Sequence, residues 1–434
     1  MSQRRASQLT IGYSPVWLRQ SAWDVPIPGV NLTRAFPATS RNYIDVDTTV
    51  EDIDDCTGED LLLELVTAEV ARLNIDFDLD PDIAAGLAAF AYGVAAAPTG
   101  GSNEVQTETI TATGGTRTLT VQTGANAQTT TALAYNANAA AITAALNALS
   151  NVAPGDITVD DTVPTAITYT FAGAFQKQDV NLISVNTYGL TGGTSTVAET
   201  TAGVGLLHAI SRLVGYTLPL MTLYVGFRGS DKQPVIFKNV VVNSIRVRSA
   251  SREKVTCSVE LLGSADLQFA SAYTMPDCQD IVPLRFGDCQ VSMGGVDFIA
   301  SNLCREFEYY FQNDVNPKFD GAGIYATRHE RADKRPSQIS AFILGEPGDA
   351  FYNLAKARTY LDSFIRCGPV GRNIKFSAPG AIVKLAPTPI RFGGDPAESE
   401  MAIIARPKKV IGNANTPTNI TAVIGTSATL LTSA

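Results

Sequence analysis

The alternation of apolar and charged residues ahead of Asp80 defines the clearest local structure in the chain. From residue 71 to residue 79 every second residue is apolar, which is the pattern of a half-buried strand. Asp80 and Pro81 supply an N-cap and a first-turn proline, and apolar residues then follow at helical spacing as far as Gly93. The pattern predicts a strand that runs into a short helix.

Two passages in the second half of the chain show the alternation of long amphipathic hairpins. The first runs from Phe237 to Leu262 and contains SASRE between its strands, and the second runs from Phe298 through FEYYFQN to Leu344. Their spacings are similar, which favours an internal repeat, although two amphipathic hairpins also resemble each other by chance.

Helical spacing of apolar residues recurs at two further places. It predicts a short amphipathic helix over 206–213 and a longer helix from Asp349 to Arg366, which Gly368 ends. Strands are predicted near 381–386 and 401–406. Because the longer helix needs a sheet to cover its apolar stripe, we expect a mainly β (α+β) fold, with a β-sandwich or open-barrel core and one packed helix.

The stretch from Asn103 to about Gly203 differs in composition from the rest of the chain. It is rich in Thr, Ala, Asn and Gly, and it contains no Cys, Trp, Met or His. Strands at 105–112 and 117–123 are predicted to form a hairpin through Gly114 and Gly115, and Asn136 is predicted to cap a helix. Further predicted strands lie at 156–159, 167–171 and 195–200. The stretch is therefore predicted to be a small α+β domain inserted after a flexible linker.

The insertion divides the chain into an interrupted core and an inserted domain. We expect residues 1–102 and 204–406 to form the two parts of the core, residues 103–203 the inserted domain, and residues 407–434 a C-terminal arm. The N-terminal segment is either an arm that reaches a neighbouring subunit or an edge packed on its own domain.

The charge and hydropathy of the chain exclude some classes of protein. A net charge of -9 argues against sequence-independent nucleic-acid binding, which gains affinity by neutralising phosphates with Lys and Arg. The longest apolar stretch, residues 83–97, is too short for a membrane-spanning helix, and no secretory signal is recognisable at the N-terminus. We expect a soluble protein made in a cytoplasm, with reduced cysteines and no membrane partner.

The sequence contains few candidates for catalysis or ligand binding. His208 lies in a predicted helix, and His329 lies in the charged stretch ATRHERADKRP, where it is expected to be solvated. Alternating Asp residues from Asp76 to Asp82 lack the Gly and Glu that a calcium loop requires. We therefore expect no enzyme activity, no metal site and no cofactor.

Two parts of the chain resemble phage proteins. The insert is similar to a module of tailed-phage structural proteins in NEVQTETITATGG, in its Ala-Tyr-Asn entry to an Ala-rich helix, and in the closing LTGGT. The core resembles the major tail tube proteins of long-tailed, siphovirus-like bacteriophages in its two long hairpins, in FEYYFQND and in the predicted helix 349–366.

The resemblance implies a virion protein of the phage tail that assembles in the host cytoplasm. Homohexameric rings would stack into a tube, and two hairpins of each subunit would join a β-barrel around the channel. Tape-measure protein and DNA would pass through the lumen without tight binding. Tail-terminator and distal tail proteins would be further partners, the two chain ends would bridge rings, and the insert would decorate the outside.

The resemblance also implies candidate site residues. Arg246 and Arg248 depart from a purely acidic lining. The basic stretch around Arg331 is interpreted either as an ionic loop or as an inter-subunit surface. The candidate lumen-facing residues are Ser244, Arg246, Arg248, Thr256, Ser258, Glu260, Glu306 and Glu308. The candidate inter-subunit residues are Trp17, Trp23, Arg328, Arg331 and Arg335.

Two alternative functions remain open from the sequence. One is a tail-terminator or baseplate ring protein with the same fold, which would form a single ring layer. The other is a glycan-binding adhesive β-protein, with the Thr-rich insert as its binding module.

Overall fold

The computed structural model describes residues 9–14, 17–39, 44–54, 61–123, 126–163, 165–213, 215, 217–227, 233–270, 273–278, 281, 283–319, 324–331, 337–344, 350–369, 371–392, 399–406, 419–424 and 430–431. In these residues the fold is mainly β, with large antiparallel sheets and three α-helices, which confirms the predicted fold class. Short 3-10 turns occur at Gly29–Asn31, Gly173–Phe175 and Phe286–Asp288.

The first part of the core contains the predicted strand and helix. The Asp80 carboxylate accepts hydrogen bonds from the backbone N–H groups of Asp82 (2.9 Å) and Ile83 (3.3 Å), and Gly93 ends the helix with a left-handed φ of 92°. Both boundaries agree with the prediction. The elements are β1 (Leu9–Tyr13), β2 (Arg34–Ala38), β3 (Asp45–Asp54), β4 (Leu61–Asp78), α1 (Pro81–Tyr92) and β5 (Gly93–Ala95).

The inserted stretch forms two small sheets and a helix. Its elements are β6 (Val105–Ile110), β7 (Gly114–Thr123), β8 (Asn126–Thr129), β9 (Leu133–Ala134), α2 (Ala139–Asn147), β10 (Ile157–Val163), β11 (Ala166–Phe171), β12 (Ser184–Asn186), β13 (Leu190–Thr191) and β14 (Ser195–Thr201). One sheet has the order β10-β11-β6-β14, and in the other β7 pairs with β8, β9, β12 and β13. These sheets share a hydrophobic core that is separate from the main one.

Two local predictions for the insert are wrong. Strands β6 and β7 do not form a hairpin, because they belong to different sheets and Gly114 and Gly115 pair with β13 instead. The helix is capped by Asn138 and not by Asn136, since the Asn138 side chain accepts a hydrogen bond from Ala141 N–H at 2.9 Å. Both errors arose where several residues with suitable turn or cap chemistry lie close together.

The two ends of the insert lie side by side. Ser102 and Val204 exchange two backbone hydrogen bonds of 3.0 Å, and Thr99 pairs with Leu207 in the same antiparallel sense. The chain therefore leaves and re-enters the core at one point.

The core resumes with five strands after the insert. They are β15 (Leu206–Arg212), β16 (Met221–Phe227), β17 (Val235–Ala250), β18 (Thr256–Gly263) and β19 (Gln268–Phe269). The predicted helix over 206–213 is wrong. Leu206, His208 and Ile210 are buried while Leu207 is exposed, and β15 lies between β5 and β29 (Asn419–Ile424).

The last part of the core adds the remaining elements. They are β20 (Cys289–Met293), β21 (Val296–Asp297), β22 (Cys304–Gln312), β23 (Val315–Lys318), β24 (Arg328–Arg331), β25 (Ser337–Leu344), α3 (Ala350–Lys356), β26 (Tyr360–Cys367), β27 (Asn373–Phe392), β28 (Ser399–Arg406) and β29. Strand β29, from the segment expected to be an arm, pairs with β15 and β27 of its own chain.

The predicted long helix from Asp349 to Arg366 is also wrong. Helix α3 ends at Lys356, and β26 follows with alternate burial of Ser363, Ile365 and Cys367. Asp349, the predicted cap, lies outside the described residues. The apolar residues of this segment fit a helical stripe and a strand face equally well, and pairing with β20 and β27 decides between them.

Helix α1 is the element around which the core packs. All of its residues except Asp82 are buried, and it contacts β17 as well as β15, β27 and β29. The Trp17 indole lies directly on Gly86, where an added Cβ would fall 2.0 Å from the ring. Only glycine at position 86 leaves room for this tryptophan.

The same order of strand pairing occurs twice in the core. The first unit consists of β1 to β4, α1 and β16 to β18, with the antiparallel pairs β2–β1, β1–β16, β16–β17, β17–β18, β18–β4 and β4–β3. The second unit consists of β20 to β22, β25, α3 and β26 to β28, with the antiparallel pairs β21–β20, β20–β26, β26–β27, β27–β28, β28–β25 and β25–β22. Helix α1 follows β4 just as α3 follows β25. The core is therefore an internal duplication, but the predicted correspondence between its hairpins is wrong. The hairpin β17–β18 corresponds to β27–β28, and the hairpin β22–β25 corresponds to β3–β4.

Candidate assembly surface

Eight strands of the two units join in one antiparallel sheet with the order β3, β4, β18, β17, β22, β25, β28, β27. The two units meet where β17 pairs with β22, from Ser244 opposite Gln312 to Ala250 opposite Glu306. The two hairpins recognised in the sequence therefore pair with each other inside one chain.

One surface of this eight-stranded sheet, which we call the polar face, carries side chains in aligned rows. Arg246 lies opposite Ser258 and Tyr310, and Ser258 lies opposite Asp76. In the next row Arg248 lies between Thr256 and Glu308. Because side chains alternate between the faces of a strand, all residues in these rows point to the same side.

All eight candidate lumen-facing residues lie on the polar face. Arg246 and Arg248 are exposed, and the other six are partly exposed. The opposite face is apolar and buried, with Val247 and Val259 among its side chains and Phe307 and Tyr309 on the neighbouring strand. The alternation read from the sequence is therefore a true division between a core face and a solvent face.

The polar face carries charges of both signs, and several of them form ion pairs. Arg246 lies 3.4 Å from Glu308 and its guanidinium stands over the Tyr310 ring, while Arg72 lies 3.3 Å from Glu260. Among the described side chains of this face the acidic residues are Asp45, Asp47, Asp76, Asp78, Glu260, Glu306 and Glu308, and the basic residues are Arg72, Arg246, Arg248, Lys384 and Arg406. A surface on which the acidic residues outnumber the basic ones offers a polyanion no net attraction.

Burial and neighbouring charges act together on Tyr310 of the polar face. Partial burial raises the pKa of the Tyr310 hydroxyl, and the Arg246 guanidinium opposes that shift. The Tyr310 hydroxyl lies 2.6 Å from the side-chain oxygen of Gln312 and donates a hydrogen bond to it. The described part of the face contains ion pairs and amide contacts, and none of its residues is arranged as a nucleophile with an adjacent base.

The candidate inter-subunit residues fall into different environments. Trp17 is 4% exposed and packs among Tyr13, Gly86 and Phe90, so burial in its own core removes it from any subunit surface. Arg335 lies outside the described residues. The N-terminal segment is thus packed on its own domain at Trp17, which was the second of the two interpretations.

Trp23 and the Arg328–Arg331 strand are brought together by the fold. The Trp23 ring lies 5.2 Å from the His329 ring, and Arg328 is exposed and forms an ion pair of 3.0 Å with Glu330. Arg331 is buried and donates a hydrogen bond to the Leu213 carbonyl. Of the candidate inter-subunit residues that the structure describes, only Trp23 and Arg328 keep surface that a neighbouring subunit can reach.

The expected solvation of His329 is wrong. The residue lies in β24, is 2% exposed, and neither ring nitrogen has a hydrogen-bond partner among the described residues. Burial lowers the pKa of His329 to about 4. The prediction failed because the neighbours of His329 in the sequence are charged, whereas its own side chain points inward from a strand with alternating burial.

Sequence reasoning missed a buried ionic cluster in the insert. The Glu108 carboxylate accepts hydrogen bonds from Arg117 Nε (2.6 Å), Tyr169 (2.5 Å) and Ser195 (2.5 Å). The Arg117 and Glu108 side chains are both fully buried. Arg117 is one of two basic residues in the whole insert, which was the available signal that its charge has a specific partner.

Comparisons with known proteins add no relative. No protein-family model matches the chain, and no curated protein matches it either. Within the described part of the chain, no cluster of His, Cys, Asp and Glu is arranged to hold a metal ion. No described helix is long and apolar enough to cross a bilayer.

Proposed function

We propose that this chain is a virion structural protein, and not an enzyme, that self-assembles into stacked rings and forms the tail tube of a long-tailed bacteriophage. The observation that carries the proposal is the eight-stranded sheet, which has one polar face with charges of both signs and an apolar face covered by its own core. Its end strands, β3 and β27, leave edges that other chains can extend.

The polar face suits the wall of a channel through which DNA passes. A conduit must stay wet and must not bind its cargo tightly, and affinity for DNA grows with the number of phosphates that a protein neutralises. On this face Arg246 lies 3.4 Å from Glu308 and Arg72 lies 3.3 Å from Glu260, so two of the arginines are engaged by acidic neighbours. The eight candidate lumen-facing residues therefore take the lumen role in the proposal.

The inserted domain suits the outside of such a tube. It has its own hydrophobic core and joins the rest of the chain through two adjacent strands, so it can extend outward without interrupting the eight-stranded sheet. In the proposal the tape-measure protein and DNA occupy the lumen transiently. Tail-terminator and distal tail proteins bind the two ends of the tube.

Negative-stain microscopy of the purified full chain tests the proposal. We expect hollow tubes with a regular axial repeat after concentration or prolonged incubation. A monodisperse monomer under all conditions contradicts the proposal. Rings that stop at one layer support a tail-terminator or baseplate ring protein instead. Glycan binding by residues 103–203, without any assembly of the full chain, supports the adhesive alternative.

A further inference from the structure

We propose that β27 of one chain pairs with β3 of a second copy of the same chain, repeating the junction between β17 and β22, and that three copies close each ring. The contact is heterologous, because it joins two different edges, and such contacts generate closed rings or open filaments. The count of three rests on the proposed tail tube function.

The two edges are long and open. Strand β3 has ten residues and pairs with β4 alone among the strands that the structure describes. From Lys384 to Phe392, the described partner of β27 is β28, on one side only. Its ladder with β28 shifts between Leu385 and Ile390, where the sequence has two prolines without an N–H to donate. Long open edges attract further strands, so folded proteins normally cover or pair them.

The internal duplication provides a template for covering these edges. In the order of strand pairing, β27 of the second unit corresponds to β17 of the first unit. Likewise, β3 of the first unit corresponds to β22 of the second unit. The β17–β22 junction shows how the last strand of one unit accepts the first strand of the next. A copy placed against β27 presents β3 in the equivalent position.

The side chains of β3 also lack the cover that their counterparts have in β22. On β22 the core-facing residues Phe307 and Phe311 are fully buried, whereas Val46 and Val50 of β3 are 37% and 42% exposed. A two-stranded ribbon is marginally stable by itself in water. Pairing with another chain would give the β3–β4 ribbon a third strand and cover its apolar residues.

The charges of the edges are complementary in the same sense as at the internal junction. Strand β17 contains three basic residues and no acidic one, and it meets β22 through the ion pair of Arg246 with Glu308. The sequence of β27 likewise contains three basic residues and no acidic one, whereas that of β3 contains five acidic residues and no basic one. Strand β22 contains Glu306, Glu308 and one basic residue, Arg305, so at both junctions a basic strand meets a strand with more acidic than basic residues. Pairing β27 with β27 or β3 with β3 would place like charges together.

The number of hairpins sets the number of chains. The resemblance to tail tube proteins implies six subunits per ring with two hairpins each, but this chain places four hairpins in the sheet: β3–β4, β17–β18, β22–β25 and β27–β28. Three copies supply the same total. With strands about 4.8 Å apart and tilted by about 40°, the sheets of three copies close into a barrel of roughly 48 Å backbone diameter. Six copies would double that width.

End-on cryo-microscopy of the assembled full-length protein, together with native mass measurement of its rings, tests the count. We expect threefold averages with six similar lobes, and a ring mass about three times the 46.0 kDa chain mass. Rings of six chains overturn the inference and leave the proposed function intact. The absence of any ring or tube overturns the proposed function and the inference with it.

Disulfide trapping tests the contact itself. Lys384→Cys is combined with Asp47→Cys in one variant and with Thr49→Cys in a second, so that registers two residues apart are both sampled. After oxidation of assembled tubes, we expect at least one variant to give a ladder of cross-linked species that stops at three chains. Single-cysteine variants and a Lys356→Cys/Asp47→Cys variant serve as controls and should give no ladder. A ladder beyond three chains, or no ladder from either edge variant, contradicts the proposed junction.

Discussion

The inserted domain and the duplicated core each contain an Arg–Glu ion pair, but the two pairs have opposite environments. In the insert, Arg117 and Glu108 are both fully buried and lie 2.6 Å apart. On the polar face of the core, Arg246 and Glu308 lie 3.4 Å apart with side chains 47% and 24% exposed. The first pair is isolated from solvent, and the second is hydrated and screened by salt.

The two regions differ in whether their charged groups are satisfied internally. The insert satisfies its charges internally, with Tyr169, Ser195 and two backbone carbonyls completing the cluster around the ion pair. Among the described residues, the core instead leaves a charged face in water and two strand edges without a further strand. The insert is therefore a self-contained module, and the proposed tail tube function assigns assembly to the core.

The largest expected effect is the loss of the buried ion pair. Arg117→Met leaves the Glu108 carboxylate buried without its cation, which should destabilise the insert by about 3–5 kcal/mol. Scanning calorimetry of the full chain should show a lower unfolding temperature for the insert and an unchanged transition for the core. Arg72→Met, which removes a partly exposed cation, is the matched control. A common shift of both transitions would show that the insert is not independent.

A second variant separates the ion pair from the packing around it. Glu108→Leu combined with Arg117→Met removes both charges from the same buried site. We expect this double variant to recover much of the stability that Arg117→Met loses, because no unpaired charge remains. If the double variant is as unstable as the single one, packing and not charge accounts for the loss.

The next largest effect should be a loss of core stability in acid. Because burial holds the pKa of His329 at about 4, below its unfolded value of about 6.5, the unfolded chain binds more protons between these two pH values. The contribution of His329 to the free energy of unfolding is complete above pH 6.5. It falls by up to about 3 kcal/mol as the pH decreases to 4. Denaturant unfolding at several pH values should show this loss in the wild type.

His329→Phe is the control for this pH dependence, since it keeps an aromatic ring beside Trp23 and cannot be protonated. Only the difference between wild type and variant measures the histidine, because Asp80, whose pKa is raised by burial, also titrates in acid. Parallel stability curves for the two proteins from pH 7 to pH 4 would contradict the assignment to His329.

A smaller effect is expected on the polar face. Glu308→Gln removes the partner of Arg246 at a partly exposed position, which should change the free energy of unfolding by less than about 1 kcal/mol. Chemical denaturation at low and high salt measures this change. A loss similar to that of Arg117→Met would mean that the face is buried in the protein as it exists in solution.

The smallest effect on the core should come from deleting residues 103–203. Ser102 and Val204 already pair side by side, so a short turn can join them without moving β5 or β15. We expect unchanged core unfolding and tubes of smaller outer diameter in electron micrographs. A deletion variant that folds but no longer assembles would make the insert part of the subunit interface.

Local chemistry predicted the elements whose signals are independent of distant partners. Asp80 and Gly93 bound helix α1 as expected, and the first hairpin has the alternation that the sequence showed. The predicted helices over 206–213 and 349–366 failed, because short apolar stretches fit helix and strand templates equally well. In both cases the hydrogen bonds of neighbouring strands selected the extended form.

The sequence by itself determined the mainly β class, the inserted domain as a stretch of distinct composition, and the face on which each hairpin residue lies. These properties follow from alternation, capping and composition, which act over a few residues. Only the tertiary structure decided that β17 pairs with β22, that Trp17 is enclosed against Gly86, and that His329 is buried. Those outcomes depend on which distant strands meet, and strand pairing at long range leaves no local pattern in the chain.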